Sequence, residues 1–204
     1  MPIKAVIFDL GGVLVHTVDR RAQHRWEVCL GVAEGELPRL VVETASSMEA
    51  VKGKISEETA WEIVGRNLGL DAGQLGQFRQ DYFAGDRIDP YLTRFLRSLR
   101  PSYKTAILTN AWPGARELFD PKYKLSRLVN TIIYSAEEGM AKPDLRIYRL
   151  CAERLSVRCS EAVFIDDKDA NVRAARRSGM HGLNFESGSQ IIAELRLLLD
   201  ARVA

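Results

Sequence analysis

The chain has little of what marks the specialised protein classes. Its three cysteines, Cys29, Cys151 and Cys159, are an odd number in no metal-ligand spacing. They read as free thiols in a reducing compartment, not as a disulfide framework or a zinc site. No apolar run approaches the ~20 residues needed to cross a bilayer. The amino terminus lacks the basic start and long apolar stretch of a secretory signal, so the expected location is the cytoplasm. Excess charge is missing too. Lysine and arginine number 29 against 27 aspartates and glutamates, a net +2, which gives neither nucleic acid nor an anionic membrane surface a reason to bind. There is no internal repeat, no low-complexity segment and no Pro- or Ser-rich linker. What remains is an ordinary globular composition, 46% hydrophobic and 27% charged over 204 residues, suited to one domain or to a core with an inserted lobe.

The informative stretch is KAVIFDLGGVLV, from Lys4 to Val15. Its first half is apolar enough for a strand buried on both faces, and it ends on Asp9. Gly11 and Gly12 follow, where the backbone can turn sharply or approach a ligand. From about 20 to 86 the pattern is helical, broken at Gly31, Pro38, Gly53 and Gly69. Expected apolar faces are Trp26, Cys29 and Leu30; Leu37, Leu40, Val41 and Thr44; Trp61, Ile63, Val64 and Leu68; and Leu75, Phe78, Tyr82 and Phe83. Ser56 with Glu57 and Glu58 is a helix start with a capping hydroxyl and acids in the first turn.

From Pro90 onward helices and strands alternate. Helices are expected over 91–99, 121–128, from Pro143 as first helical position, from about 170 to a left-handed cap at Gly179, and over 191–199. Strands are expected over 104–110, 130–134, 162–165 and 182–185. Regular alternation of this kind implies an α/β fold, a Rossmann-like doubly wound parallel sheet. Residues 1–15 and 90–204 form its core, with an α-helical cap inserted over 16–89.

Three of these strands end in polar residues: Asp9, then Thr109-Asn110, then Asp166-Asp167. In a parallel sheet all three lie on one edge, where such folds bind ligands. The loop between the last two carries Lys142. Three carboxylates, a hydroxyl and an ammonium make a set of hard donors suited to Mg²⁺ and phosphate oxygens. Counted against Lys142, the carboxylates leave −2, which a divalent cation neutralises. Each residue also has a plainer role open to it. Asp9 suits a turn, Thr109 and Asn110 a strand end, Lys142 a solvated loop, and Asp166-Asp167 a helix cap.

Taken together, the motifs resemble those of the haloacid dehalogenase-like superfamily, in the group with a helical cap after the first strand. FDLGG at 8–12, LTN at 108–110, Lys142-Pro143 and DDKDAN at 166–171 stand in the order of that superfamily's four motifs. FDLGG with GKIS at 53–56 is most similar to a branch of sugar-phosphate phosphatases. The resemblance implies phosphoryl transfer through an aspartyl-phosphate, with Asp9 as nucleophile. It implies Mg²⁺ held by Asp9, the Gly11 carbonyl, Asp166 and Asp167. Thr109, Asn110 and Lys142 are the implied phosphate-binding residues, and Asn171 stands behind them. The expected substrate is a small phosphorylated metabolite.

Gly11 departs from the pattern. Phosphatases of the superfamily carry an Asp there as general acid and base, help typically worth ~10²–10⁴ in rate. His16, Asp19 and His24 lie just beyond and are candidate replacements; for each, a solvated or packing role is the plainer one. Trp112 is a candidate for the pocket mouth. Two other readings stand beside the phosphatase: a binding protein that has lost catalysis at Gly11, and a metal-independent carbon–halogen hydrolase. The paired carboxylates Asp166-Asp167 speak against the latter.

Overall fold

The computed structural model describes residues 2–200. β1 (Ala5–Phe8) is buried along its whole length. A turn over 11–14 leads to β2 (Val15–Thr17) and then to five helices: α1 (Arg21–Leu30), α2 (Leu37–Val42), α3 (Ala45–Ala50), α4 (Glu57–Leu68) and α5 (Ala72–Tyr82). β3 (Asp86–Ile88) returns and pairs antiparallel with β2, Val15 opposite Ile88 and Thr17 opposite Asp86. The two crossings of the chain into and out of the helices are thereby tied into one ribbon. There follow α6 (Pro90–Leu99), β4 (Lys104–Thr109), α7 (Ala115–Tyr123), β5 (Thr131–Tyr134) and the one-turn α8 (Ser135–Glu138). The chain continues through α9 (Leu145–Arg154), β6 (Ala162–Asp166), α10 (Asp169–Arg177), β7 (His181–Asn184) and α11 (Gly188–Asp200).

Strands β1 and β4 to β7 form one parallel sheet in the order β5-β4-β1-β6-β7. β1 is the central strand, so Asp9 emerges mid-edge, flanked by the ends of β4 and β6. The alternation of strand side chains divides the core between two faces. Val6, Phe8, Ile107 and Ile165 pack with Leu92, Leu96 and Leu195 on one side. Ala5, Ile7, Leu108 and Phe164 pack with Ile147, Tyr148 and Ala174 on the other. The helical lobe has its own apolar centre in Leu37, Val41, Trp61, Val64, Phe78 and Tyr82. Ser56 caps α4 by accepting from the Thr59 amide at 3.1 Å, and Asp71 with Gln74 forms a reciprocal capping box on α5. Among the described residues no helix is long and apolar enough to cross a membrane, and all three cysteines are free.

Several local expectations are corrected. α1 buries Gln23 and Glu27, while Cys29 is exposed. The reason is hydrogen bonding: Gln23 Nε2 donates to the Tyr82 carbonyl at 3.0 Å. Glu27 Oε1 accepts from Arg20 at 3.1 Å and from the Gly35 amide at 2.8 Å. Polar partners from other segments thus make this a polar buried face, which apolar periodicity does not register. Thr44 is the cap of a separate helix, α3, its hydroxyl accepting from the Ser47 amide. The helix expected over 121–128 begins at Ala115 and has Pro121 inside it, two residues before its end; 125–127 is a separate 3₁₀ turn. Pro143 is not the first helical residue. It precedes α9 in a cis peptide bond, and Asp144 is the cap, accepting from the Arg146 amide at 2.9 Å.

The lobe rests on the segment after β4. Trp112 reaches across to it: the indole Nε1 donates to Ser47 Oγ at 3.0 Å, and the ring meets Trp61 edge-on at 5.0 Å. Gly53 lies so close to α8 that a Cβ there would stand 2.3 Å from the Ala136 carbonyl oxygen. Together these contacts hold the lobe over the strand ends.

Candidate active site

Lys142 is the centre of the site. Its ammonium is buried and sits 2.8 Å from Asp9 Oδ1 and 2.7 Å from Asp166 Oδ2. Asp9 Oδ1 also accepts from the Leu10 amide at 2.7 Å. Asp166 is held from three sides. Lys168 N donates to Oδ1 at 2.8 Å, and Asn171 Nδ2 lies at 3.0 and 3.1 Å from the two oxygens. Asn171 is itself fixed by its carbonyl, which accepts from Tyr148 Oη at 2.9 Å.

Asn110 grips the loop that carries Lys142. Its Nδ2 donates to the Lys142 carbonyl and its Oδ1 accepts from the Lys142 amide, both at 2.8 Å. This side chain, expected beside the phosphate, positions the lysine's backbone. Thr109 is buried at the end of β4, and among the described residues its hydroxyl makes no hydrogen bond. Asp9, Asp166 and Asp167 each offer a carboxylate oxygen, and these atoms lie within 4.8 Å of one another. The expected cluster is therefore assembled, but its carboxylates differ. Asp166 is buried and fully bonded, whereas Asp167 is exposed at the rim.

The electrostatics follow from that crowding. Burial raises the Asp9 carboxyl to about 7, with Lys142 opposing and the Asp166 charge adding to the rise. At the rim, partial loss of water around Asp167 and the charge of Asp166 raise its carboxyl as well. Burial works against the Lys142 ammonium, but the charges of Asp9 and Asp166 outweigh it and hold the lysine above its usual value. The cluster as it stands carries more negative charge than one lysine neutralises. Oxygen donors this close, with repulsion left over, fit a small hard divalent cation.

The two glycines after Asp9 do different work. Gly12 has φ of 79°, and a Cβ on it would stand 2.5 Å from Asp167 Oδ2, so glycine is required both by conformation and by the approach of that carboxylate. Gly11 has no left-handed φ, and apart from its two chain neighbours no heavy atom lies within 4 Å of where a Cβ would stand. Gly12→Ala should therefore cost about 1–3 kcal/mol, and Gly11→Ala should stay within about 0.5 kcal/mol of wild type. Urea unfolding of both variants checks this; equal losses would contradict the distinction.

The candidate replacements for an acid at Gly11 each have neighbours of their own. His16 stacks on Phe185, ring centres 5.8 Å apart. Asp19 is locked in a fork with Arg21, with Nη2 to Oδ2 at 2.6 Å, and that hydrogen bonding holds its carboxyl well below the usual range. His24 Nδ1 lies 3.7 Å from Glu27 Oε2. Among the described residues no hydrogen bond joins any of the three to Asp9, Lys142 or Asp166. Trp112 belongs to the lobe contact described above. Tyr148, which fixes Asn171, carries no signature in sequence that distinguishes its hydroxyl from that of a packing tyrosine.

A family model described as haloacid dehalogenase-like hydrolase matches residues 3–179. Acyl-CoA dehydrogenase family member 10 of Mus musculus is 31% identical over 96% of this chain, which spans only 19% of that protein's length. The sesquiterpene phosphatase astK of Aspergillus oryzae is 31% identical, with 96% of each chain covered. Among solved structures, a HAD family enzyme of Bacteroides thetaiotaomicron, in complex with magnesium and inorganic phosphate, superposes with a TM-score of 0.74 at 23% identity, covering 91% of this chain and 96% of its own.

Proposed function

The chain belongs to the haloacid dehalogenase-like hydrolases, and from that membership we propose that it is a Mg²⁺-dependent phosphatase acting on a small phosphorylated metabolite. The observation that carries the reading is the buried ammonium of Lys142 between Asp9 and Asp166, with the Asp167 carboxylate beside them. Asp9, whose Oδ1 accepts from Lys142 and the Leu10 amide, is held in place to attack phosphorus and form an aspartyl-phosphate. Lys142 and the hydroxyl of Thr109 hold the phosphoryl oxygens, supplying charge and a donor where negative charge develops. Asn110 keeps the lysine in place through its backbone. Asp166, bonded on every side, orients the ammonium.

Mg²⁺ fits the remaining donors, Asp9, Asp167 and the Gly11 carbonyl, with Asp166 adding charge behind them. When bound it draws charge from the phosphoryl oxygens and relieves the repulsion among the carboxylates. The lobe over 16–89 serves as the cap, excluding water and contacting the part of the substrate that is not transferred. The phosphatase activity named for the Aspergillus relative, alike over its whole length, supports this choice over carbon–halogen hydrolysis, which needs no metal carboxylates.

Gly11 favours one other reading, a binding protein on the same fold that no longer turns over. A screen of phosphorylated metabolites with Mg²⁺, run beside Asp9→Asn as blank, decides between them. Phosphate release above the blank is the expected result. No release from any compound would leave the binding reading.

A further inference from the structure

We propose that the bond this site cleaves is a phosphoric anhydride, the terminal P–O–P link of a diphosphate ester, in preference to the P–O–C link of a simple alkyl monoester. This rests on the phosphatase reading and specifies its substrate class.

The argument begins with the leaving group. Asp9 forms a bond to phosphorus, the bridging oxygen–phosphorus bond breaks, and the electron pair stays on the bridging oxygen. If that oxygen belongs to an alcohol, its conjugate acid has a pKa of about 16, like water, and the departing alkoxide needs a proton as it leaves. If it belongs to a phosphate ester, the corresponding pKa is about 6, and it departs as a stable anion at neutral pH. In the second half-reaction water attacks the phosphorus, the bond to Asp9 breaks, and its electron pair returns to the carboxylate, again a group that leaves without protonation. Both hydrogens of the water depart with inorganic phosphate and are exchanged with solvent.

The site is built for the second case. Gly11 offers no acid, and among the described residues no hydrogen bond or ion pair joins the nearby titratable groups to the cluster: Asp19 pairs with Arg21, His24 lies beside Glu27, His16 stacks on the Phe185 ring, and Asp86 accepts from the Thr17 hydroxyl at 2.6 Å. Gly11 is also exposed with open space beside it. A tetrahedral phosphate leaving group has room there. A carboxylate at the same place would fill that space and repel the dianion.

The test compares hexyl diphosphate, hexyl monophosphate and 4-nitrophenyl phosphate at constant free Mg²⁺, in wild type and Gly11→Asp. Wild type should release terminal phosphate from the diphosphate with kcat/KM at least ~10²-fold above that for the monophosphate, the low end of what general acid catalysis supplies. Gly11→Asp should narrow the ratio by tenfold or more, raising the monophosphate and lowering the diphosphate. A wild-type ratio near one, or in favour of the monophosphate, overturns the proposal. Hydrolysis of 4-nitrophenyl phosphate without hydrolysis of the diphosphate overturns it while the phosphatase reading stands; hydrolysis of none of the three removes both. Should Gly11→Asp not fold, wild-type rates across substituted phenyl phosphates take its place. A steep fall with rising leaving-group pKa supports the proposal, and a flat dependence overturns it.

Discussion

Asp9→Asn should abolish turnover and, in metal-free buffer near pH 7, leave the protein more stable than wild type. The first effect follows from the proposed role of the carboxylate as nucleophile: an amide of the same shape attacks phosphorus poorly, and loss of a covalent catalyst should exceed ~10³-fold. Activity within about tenfold of wild type would remove Asp9 from that role. The second effect follows from burial. The Asp9 carboxyl is raised from 3.8 to about 7 in the folded chain, so between those values the folded state holds a proton that the unfolded state has released. Stability from this group therefore falls as pH rises through that window and is unaffected below it. Asn carries no charge, so the gain of the variant over wild type should be small near pH 4 and grow toward pH 7. Urea unfolding at both pH values, with chelator, measures it. A variant less stable than wild type at both would mean that the pairing of Asp9 with Lys142 outweighs its burial.

Asp167→Ala should abolish turnover and also the rise in thermal stability that Mg²⁺ confers on wild type. A ligand that binds only the folded state stabilises by about 2.7 kcal/mol at a hundred times its dissociation constant, readily seen in a melting curve. Asp167 is raised by partial desolvation and by the charge of Asp166, so removing it relieves repulsion. The metal-free variant should melt no lower than metal-free wild type. That separates a lost ligand from a lost fold. Turnover unchanged by chelator would end the metal assignment and favour carbon–halogen chemistry, which needs none.

The sequence by itself determined the alternation of strand and helix, the helical insertion, and the polar residues that close β1, β4 and β6. These are local properties: a buried strand must be apolar throughout, and a residue after its last apolar position must lie at its end. The same locality made Ser56, with Glu57 and Glu58 behind it, recognisable as a helix start. Tertiary structure decided which of those residues meet. Lys142 finds Asp166 across 24 residues, Asn110 finds the Lys142 backbone across 32, and Trp112 finds Ser47 across 65. No pattern in the chain states such partners, because each is set by the order β5-β4-β1-β6-β7 and by how the lobe is seated. The burial of Gln23 and Glu27 is of the same kind: a polar face goes inside only when groups distant in sequence complete its hydrogen bonds. The division of labour between the adjacent glycines was likewise invisible in the letters GG. Only the approach of Asp167 to one of them, and open space beside the other, distinguishes the glycine that the fold requires from the one beside which a side chain would fit.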